Sequence, residues 1–364
     1  MLKNNLNEEV LLRQFSASGQ FENVLKILNK NKRKSTFNIN AQSSNGNTAL
    51  HWACCKAIEK EKGYTSDYSK IIRLLIEHKA DYLIKNKCGK IPYDFLKHMP
   101  LDEHRGQTKR SGILNENVSC YFALINSLLK IECMKTMFSS EFESALSLTT
   151  FFHVILDSLE LFRFFPDESK EQETFLILSL ACGVSTEVLP LIIYFQYQGK
   201  KIHYVGIDNN SAVIQDNRLR YANFENVEFI CADASNLNEI TNKIPLYSID
   251  LAILRNADFT EYQKRQSIFC KIVDQVIPHF MKPNSPLWIS FQTEYELNFC
   301  KTKTKICQNF KKFHANNLCD TGEMCNFFTQ HKNRTVVNHP DRFSIILNSE
   351  RTTPEETLAC SLKK

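Results

Sequence analysis

The chain has 364 residues, 43% of them hydrophobic, and a formal net charge of +5. That length suits two or three domains with a sizeable core, and so mild a charge gives no support for a nucleic-acid binder dominated by phosphate contacts, so nucleic acid is not an expected partner. The 13 cysteines are scattered and odd in number, which fits reduced thiols in the cytoplasm, and no run approaches the roughly 20 apolar residues that a membrane-spanning helix requires.

No N-terminal stretch has the apolar length of a signal peptide, and the first elements form a repeat. Ala17 to Leu28 places apolar residues at helical spacing after a small-residue turn, and the pattern returns in Ile71-Ile72-Arg73-Leu74-Leu75. Between them stand Asn45-Gly46-Asn47-Thr48-Ala49-Leu50-His51-Trp52-Ala53, Lys79-Ala80-Asp81 and Cys88-Gly89-Lys90-Ile91-Pro92-Tyr93-Asp94. These residues resemble the ankyrin repeat, whose turn opens the first of two antiparallel helices. Gly46 and Gly89 are 43 positions apart (89 − 46), against about 33 in the family, and the polar stretch Glu59 to Tyr68 accounts for the excess as an insertion between paired helices. His51 and Thr48 are expected to fix the turn by local hydrogen bonds. Two and a half repeats fall short of an independent stack, so the ankyrin domain, residues 1–100, should dock on the remainder of the chain.

Residues 101–114 are polar and broken by Gly106, and form the expected linker. Val118 to Met137 and Phe142 to Phe164 read as two helices, with more apolar groups than exposed helices carry. Residues 115–165 are therefore expected to pack on, or cover, the C-terminal domain, residues 166–349. There, strand-like runs at Phe175 to Leu180, His203 to Ile207, Val227 to Ala232, Ile249 to Leu254 and Leu287 to Phe291 alternate with helical segments near Glu187 to Tyr197, Ser211 to Tyr221, Leu237 to Ile240 and Tyr262 to Phe280. That alternation implies an α/β domain with a parallel sheet covered on both faces. Asn326 to Thr329 and Phe343 to Leu347 come next, as an expected terminal antiparallel hairpin. Residues 350–364 read as a flexible tail.

The plan of Phe175 to Asp208, a strand ending in Ala181-Cys182-Gly183, a helix, and a second strand ending in Asp208, is that of a nucleotide-binding β-α-β unit. From Pro166 to Asn348 the chain resembles a class I S-adenosylmethionine-dependent methyltransferase, a seven-stranded Rossmann-like fold. The family's acidic-Leu-Gly-Cys-Gly-x-Gly motif falls on Ser179-Leu180-Ala181-Cys182-Gly183-Val184-Ser185. The resemblance implies S-adenosylmethionine as cofactor, with Ala181, Cys182, Gly183, Glu187, Asp208, Asn209, Asp233, Ala234 and Arg255 in its site. Asp208 would hold the ribose hydroxyls and Asp233 the adenine amino group. Two family glycines are replaced, by Ala181 and Ser185, and Ser179 stands where the acidic partner of the methionine amino group is usual. Glu187 either substitutes for that carboxylate or complements the helix dipole. Beyond the fourth strand, Asn256 could orient a methyl acceptor, and Asp258 or Tyr262 could assist proton removal. A nicotinamide-dependent dehydrogenase would want Gly-x-Gly-x-x-Gly, which this loop matches only if its spacing is forced.

Two functions are compatible with these residues: a methyltransferase whose ankyrin repeats position a protein partner, or a catalytically inactive fold serving as an interaction scaffold. The pairing of domains, the Asn- and Lys-rich composition and the polar tail Ser349 to Thr357 resemble effector proteins that intracellular bacteria deliver into host cells.

Overall fold

The computed structural model describes residues 7–32, 34–59, 67–96, 116–136, 149–150, 152–153, 155–157, 161–255, 263–291, 293–306, 318–320 and 343–348. The chain divides into two compact units, Met1–Thr150 and Phe151–Lys364. No helix among the described residues is long and apolar enough to cross a membrane.

In the first unit, α1 (Glu8–Ser18) and α2 (Phe21–Asn31) form one helical pair and α3 (Ala49–Glu59) and α4 (Tyr68–Glu77) the next. Asn7 caps α1 through the Glu9 N–H, and Gly19 ends it in the left-handed conformation. The two pairs are joined by Tyr68, whose hydroxyl donates to the Ala17 carbonyl at 2.8 Å. At the tip before α3, Gly46 has φ +80°, and a Cβ there would stand 2.6 Å from the Lys87 nitrogen. Only glycine lets the two tips approach this closely. His51 is fully buried and spans the same junction. Its Nδ1 accepts from the Thr48 N–H at 3.2 Å, and its Nε2 meets the Lys90 carbonyl at 3.0 Å. The sequence expectation of a local structural histidine therefore understates it, because its second bond reaches the next repeat.

The first unit also holds α5 (Glu116–Thr136), which packs along α4. This corrects the expectation that residues 115–165 belong as a block with the second half. The reason is that α5 buries Tyr121, Leu124, Ile125, Leu128 and Leu129, a face that answers Ile71, Ile72 and Leu75 of α4, likewise buried. An incomplete repeat stack is thereby covered by a helix from beyond its own linker. The linker 101–114, most of the insertion Glu59 to Tyr68 and the tail 350–364 lie outside the described residues.

The second unit is built on five parallel strands, β1 (Thr174–Leu180), β2 (Lys201–Asp208), β3 (Val227–Cys231), β4 (Leu251–Arg255) and β5 (Pro286–Phe291), extended by antiparallel β6 (Leu318–Asp320) and β7 (Phe343–Asn348) in the order β3-β2-β1-β4-β5-β7-β6. Of the expected terminal hairpin, Phe343 to Leu347 falls in β7, which pairs antiparallel with β5 and with β6, and Asn326 to Thr329 lies outside the described residues. Between the parallel strands run α6 (Val188–Tyr197), α7 (Ser211–Arg220), α8 (Leu237–Thr241) and α9 (Gln263–Lys271), with α10 (Glu294–Lys303) after β5. The segment after α9 widens into a π turn at Ile272–Val276. Phe162, Phe165, Phe175 and Phe195 meet edge to face at 4.9 to 6.2 Å, so the phenylalanines that precede β1 do pack on this unit, as the sequence predicts for them.

Burial lowers the pKa of His51 below its ordinary value near 6.5. The unfolded chain then binds the extra proton first, so stability is complete above about pH 6.5 and falls as pH drops below it. His51→Gln should flatten the fall in stability below about pH 6.5, measured by urea denaturation at a series of pH values. An unchanged slope would show that the ring is not held neutral.

Candidate functional site

In an open parallel sheet the ligand crevice lies beyond the carboxyl ends of the strands, where their order reverses. Here β2 lies to one side of β1 and β4 to the other. The reversal therefore brings the loop after Leu180, the end of β2 at Asp208 and the end of β4 at Arg255 to one edge.

The loop after β1 takes left-handed backbone at alternate residues, Ala181 (φ 51°), Gly183 (φ 51°) and Ser185 (φ 52°). Ala181 and Ser185 are the positions at which the sequence replaces glycine. The cost of those replacements is in the backbone more than in room for a ligand, on the order of 1–2 kcal/mol per residue. Cross-strand bonds hold the loop: the Cys182 N–H donates to the Ile207 carbonyl at 3.0 Å, and the Gly183 N–H donates to Asp208 Oδ2 at 3.0 Å. The other oxygen of Asp208 accepts the Asn210 N–H at 2.9 Å. A Cβ at Gly183 would meet nothing within 4 Å, so this face of the loop is open beside a carboxylate. Cys182 is buried, and burial first, then Glu187 and Asp208, drives its thiol pKa well up. It is a packed thiol, not a nucleophile.

Glu187 is fully buried. Its Oε1 accepts from Ser179 Oγ at 2.9 Å and from Tyr204 Oη at 2.7 Å, and its Oε2 pairs with Arg255 Nη1 at 2.5 Å. Arg255 also donates to Thr186 Oγ1 at 3.1 Å and lies over the Phe152 ring at 4.3 Å, which in turn stacks on Trp288 at 4.8 Å. The helix-dipole reading of Glu187 is thus the lesser part of its role. Its carboxylate sits against Ser179, the strand position whose own acidic group is missing. Tyr204 does not stand out in the sequence reading. A tyrosine inside the apolar run of β2 is the available signal, since a buried phenol needs a partner. Burial and then the charge on Glu187 raise its pKa, keeping it a donor to that carboxylate.

At the end of β3, Asp233 is exposed and its Oδ1 accepts the Ser235 N–H at 2.8 Å, while its own N–H donates to Glu239 Oε2 at 3.1 Å. It shapes a loop turn; the cap of α8 is Asn236. Ala234 is buried and Asn209 exposed. The structure brings Cys182, Gly183, Glu187, Asp208 and Arg255 into one hydrogen-bonded edge, with Ala181 in the same loop. Asn256, Asp258 and Tyr262 lie outside the described residues.

The methyltransferase-domain family matches residues 172–340, and the ankyrin-repeat family matches residues 45–87. The chain carries an ankyrin repeat and a methyltransferase domain. Among solved structures, an S-adenosylmethionine-dependent methyltransferase from Clostridium acetobutylicum is 17% identical over 42% of this chain and 52% of its own, with a TM-score of 0.28. Phosphoethanolamine N-methyltransferase 1 of Haemonchus contortus, bound to phosphoethanolamine and S-adenosylhomocysteine, is 10% identical over 48% of this chain and 33% of its own, with a TM-score of 0.30. A sarcosine dimethylglycine methyltransferase structure from Galdieria sulphuraria is 12% identical over 41% of this chain and 48% of its own, with a TM-score of 0.28. The chain thus spans about half, or less, of the length of these neighbours. No curated protein matches it.

In the second unit, the Glu187–Arg255 pair is a buried ion pair, with Glu187 the more deeply buried partner. Arg255→Met would leave a buried carboxylate without its cation and should cost about 3–5 kcal/mol. Adding Glu187→Gln should recover most of that loss in a urea denaturation series. A single-variant cost below about 1 kcal/mol would mean that the pair contributes little to the fold.

Proposed function

We propose that the chain is a class I S-adenosylmethionine-dependent methyltransferase that acts on a protein positioned by its ankyrin unit. The observation that carries the proposal is the juxtaposition of the open Gly183 backbone with the Asp208 carboxylate at the reversal point of the sheet. The family match over residues 172–340 supports the same reading.

These residues fit the cofactor by their chemistry. Asp208 retains acceptor capacity for ribose hydroxyls, the small side chains of Ala181 and Ala234 leave room, and Asp233 accepts from an exocyclic amine. Asn209 and Cys182 complete the nucleoside side. Glu187 supplies the carboxylate for the methionine ammonium, held there by Ser179 and Tyr204, and Arg255 offers its guanidinium to the methionine carboxylate. The bound sulfonium supplies an electrophilic methyl group, which leaves to the protein the tasks of orientation and water exclusion. We assign Asn256 to orienting the acceptor and Asp258 or Tyr262 to receiving its proton. The ankyrin unit is taken to bind the protein partner through its loop tips. Action in the cytoplasm, after delivery into a host cell as a bacterial effector, is the setting we infer from the domain pairing and polar tail.

One observation favours the inactive-scaffold reading instead. Glu187 is already engaged by Arg255, so the cofactor must share or displace an existing ion pair. Calorimetry separates the two. The protein should bind S-adenosylmethionine and S-adenosylhomocysteine and not NAD, and Asp208→Ala should weaken binding by about 1.5–3 kcal/mol for each charge-assisted hydrogen bond lost. Unchanged affinity in a folded Asp208→Ala protein would exclude the ribose site. No binding at all would leave the scaffold.

A further inference from the structure

The loop after β1 holds left-handed backbone at two residues that are not glycine, and beside its bonds to β2 its carbonyls are held by one helix. Asn217 Nδ2 donates to the Gly183 carbonyl at 2.6 Å, Arg220 Nη1 to the Val184 carbonyl at 3.2 Å and Tyr221 Oη to the Ser185 carbonyl at 2.8 Å. Three consecutive loop carbonyls thus meet three donors spaced i, i+3, i+4, on one face of α7 and its cap. Asn217, Arg220 and Tyr221 are all buried, a costly place for polar groups unless their bonds are made. Asn217 Nδ2 lies 3.3 Å and Tyr204 Oη 3.4 Å from Ser185 Oγ, so the side chain that replaces a glycine is also held.

We propose that Asn217, Arg220 and Tyr221 are positioning residues that hold a glycine-poor loop in the conformation needed for cofactor binding. The inference rests on the S-adenosylmethionine reading of this site. In a planar trans peptide the N–H points opposite to the carbonyl it is joined to, and no peptide bond among the described residues is cis. Fastening the carbonyls of Gly183 and Ser185 to α7 therefore turns the N–H groups of Val184 and Thr186 away from it. Val184 itself is 52% exposed, so the outer side of the loop is open. In this chain α7 does the work that glycine's conformational freedom does elsewhere. The consequence is a coupling between position 185 and α7. Loss of an α7 donor should matter while residue 185 is serine, and should cease to matter once it is glycine.

The test uses the full chain with S-adenosylhomocysteine as the probe, titrated into wild type, Tyr221→Phe, Ser185→Gly and the double variant, alongside hydrogen exchange of residues 182–186 without ligand. Tyr221→Phe should raise the dissociation constant and speed loop exchange by about tenfold each, a factor in line with a lost buried hydrogen bond. Ser185→Gly added to it should bring both within about twofold of Ser185→Gly alone. Asn217→Ala gives a second donor loss should Tyr221→Phe fold poorly. Donor variants that bind and exchange like wild type, or a glycine variant that does not rescue, would overturn the inference. If wild type does not bind the probe, the cofactor reading fails, and with it the assignment of this clamp to cofactor binding. The exchange rates then still decide whether α7 holds the loop.

Discussion

One buried carboxylate organises the candidate edge of the second unit. Glu187 accepts from Ser179 on β1 and from Tyr204 on β2, and pairs with Arg255 at the end of β4. It therefore links three neighbouring strands at the point where their order reverses. A charge in that position is tolerable only with its partners in place, since an unpaired buried carboxylate costs several kcal/mol (of order 3–5). The cationic partner is itself fixed by the stack of Phe152 on Trp288. The site is thus braced from the sheet, from the segment that precedes it and from α7, and its geometry is a property of the packed unit and not of the loop alone.

The position of this carboxylate gives the departures from the methyltransferase pattern a physical account. Ser179 has lost the acidic side chain of the family motif, yet Glu187 places an oxygen 2.9 Å from its hydroxyl. Ala181 and Ser185 have lost glycine's freedom, yet both adopt φ values above +50°, and Ser185 is fastened by Tyr221. The departures at Ser179 and Ser185 are each offset by a group elsewhere in the chain. Such compensation preserves a site's shape while changing which residues maintain it.

Much of the fold was legible in the sequence because buried strands and amphipathic helices carry their own periodicity. The five parallel strands stand within a few residues of the apolar runs, and Asp208 ends β2 as the strand pattern implies. What could not be read were choices made by distant partners. Arg255 lies 68 residues from Glu187, and nothing local to either residue names the other. The apolar face of α5 announced that it must be buried, and the partner it packs along is α4 of its own unit. Likewise the backbone at Ser185 gives no sign in the sequence that it is left-handed. The donors that hold it, Asn217, Arg220 and Tyr221, read as ordinary polar positions of a helix until their bonds are seen.

The central claim is that the edge formed by the β1 loop and Asp208 is a nucleoside cradle. The most direct measurement is a crystal structure of the full chain with S-adenosylhomocysteine. The account predicts the ribose hydroxyls within about 2.5–3.2 Å of the Asp208 carboxylate, with the amino-acid end directed to Glu187 and Arg255. A ligand bound elsewhere, or an edge that stays closed at saturating ligand with Glu187 and Arg255 paired as they are here, would contradict it.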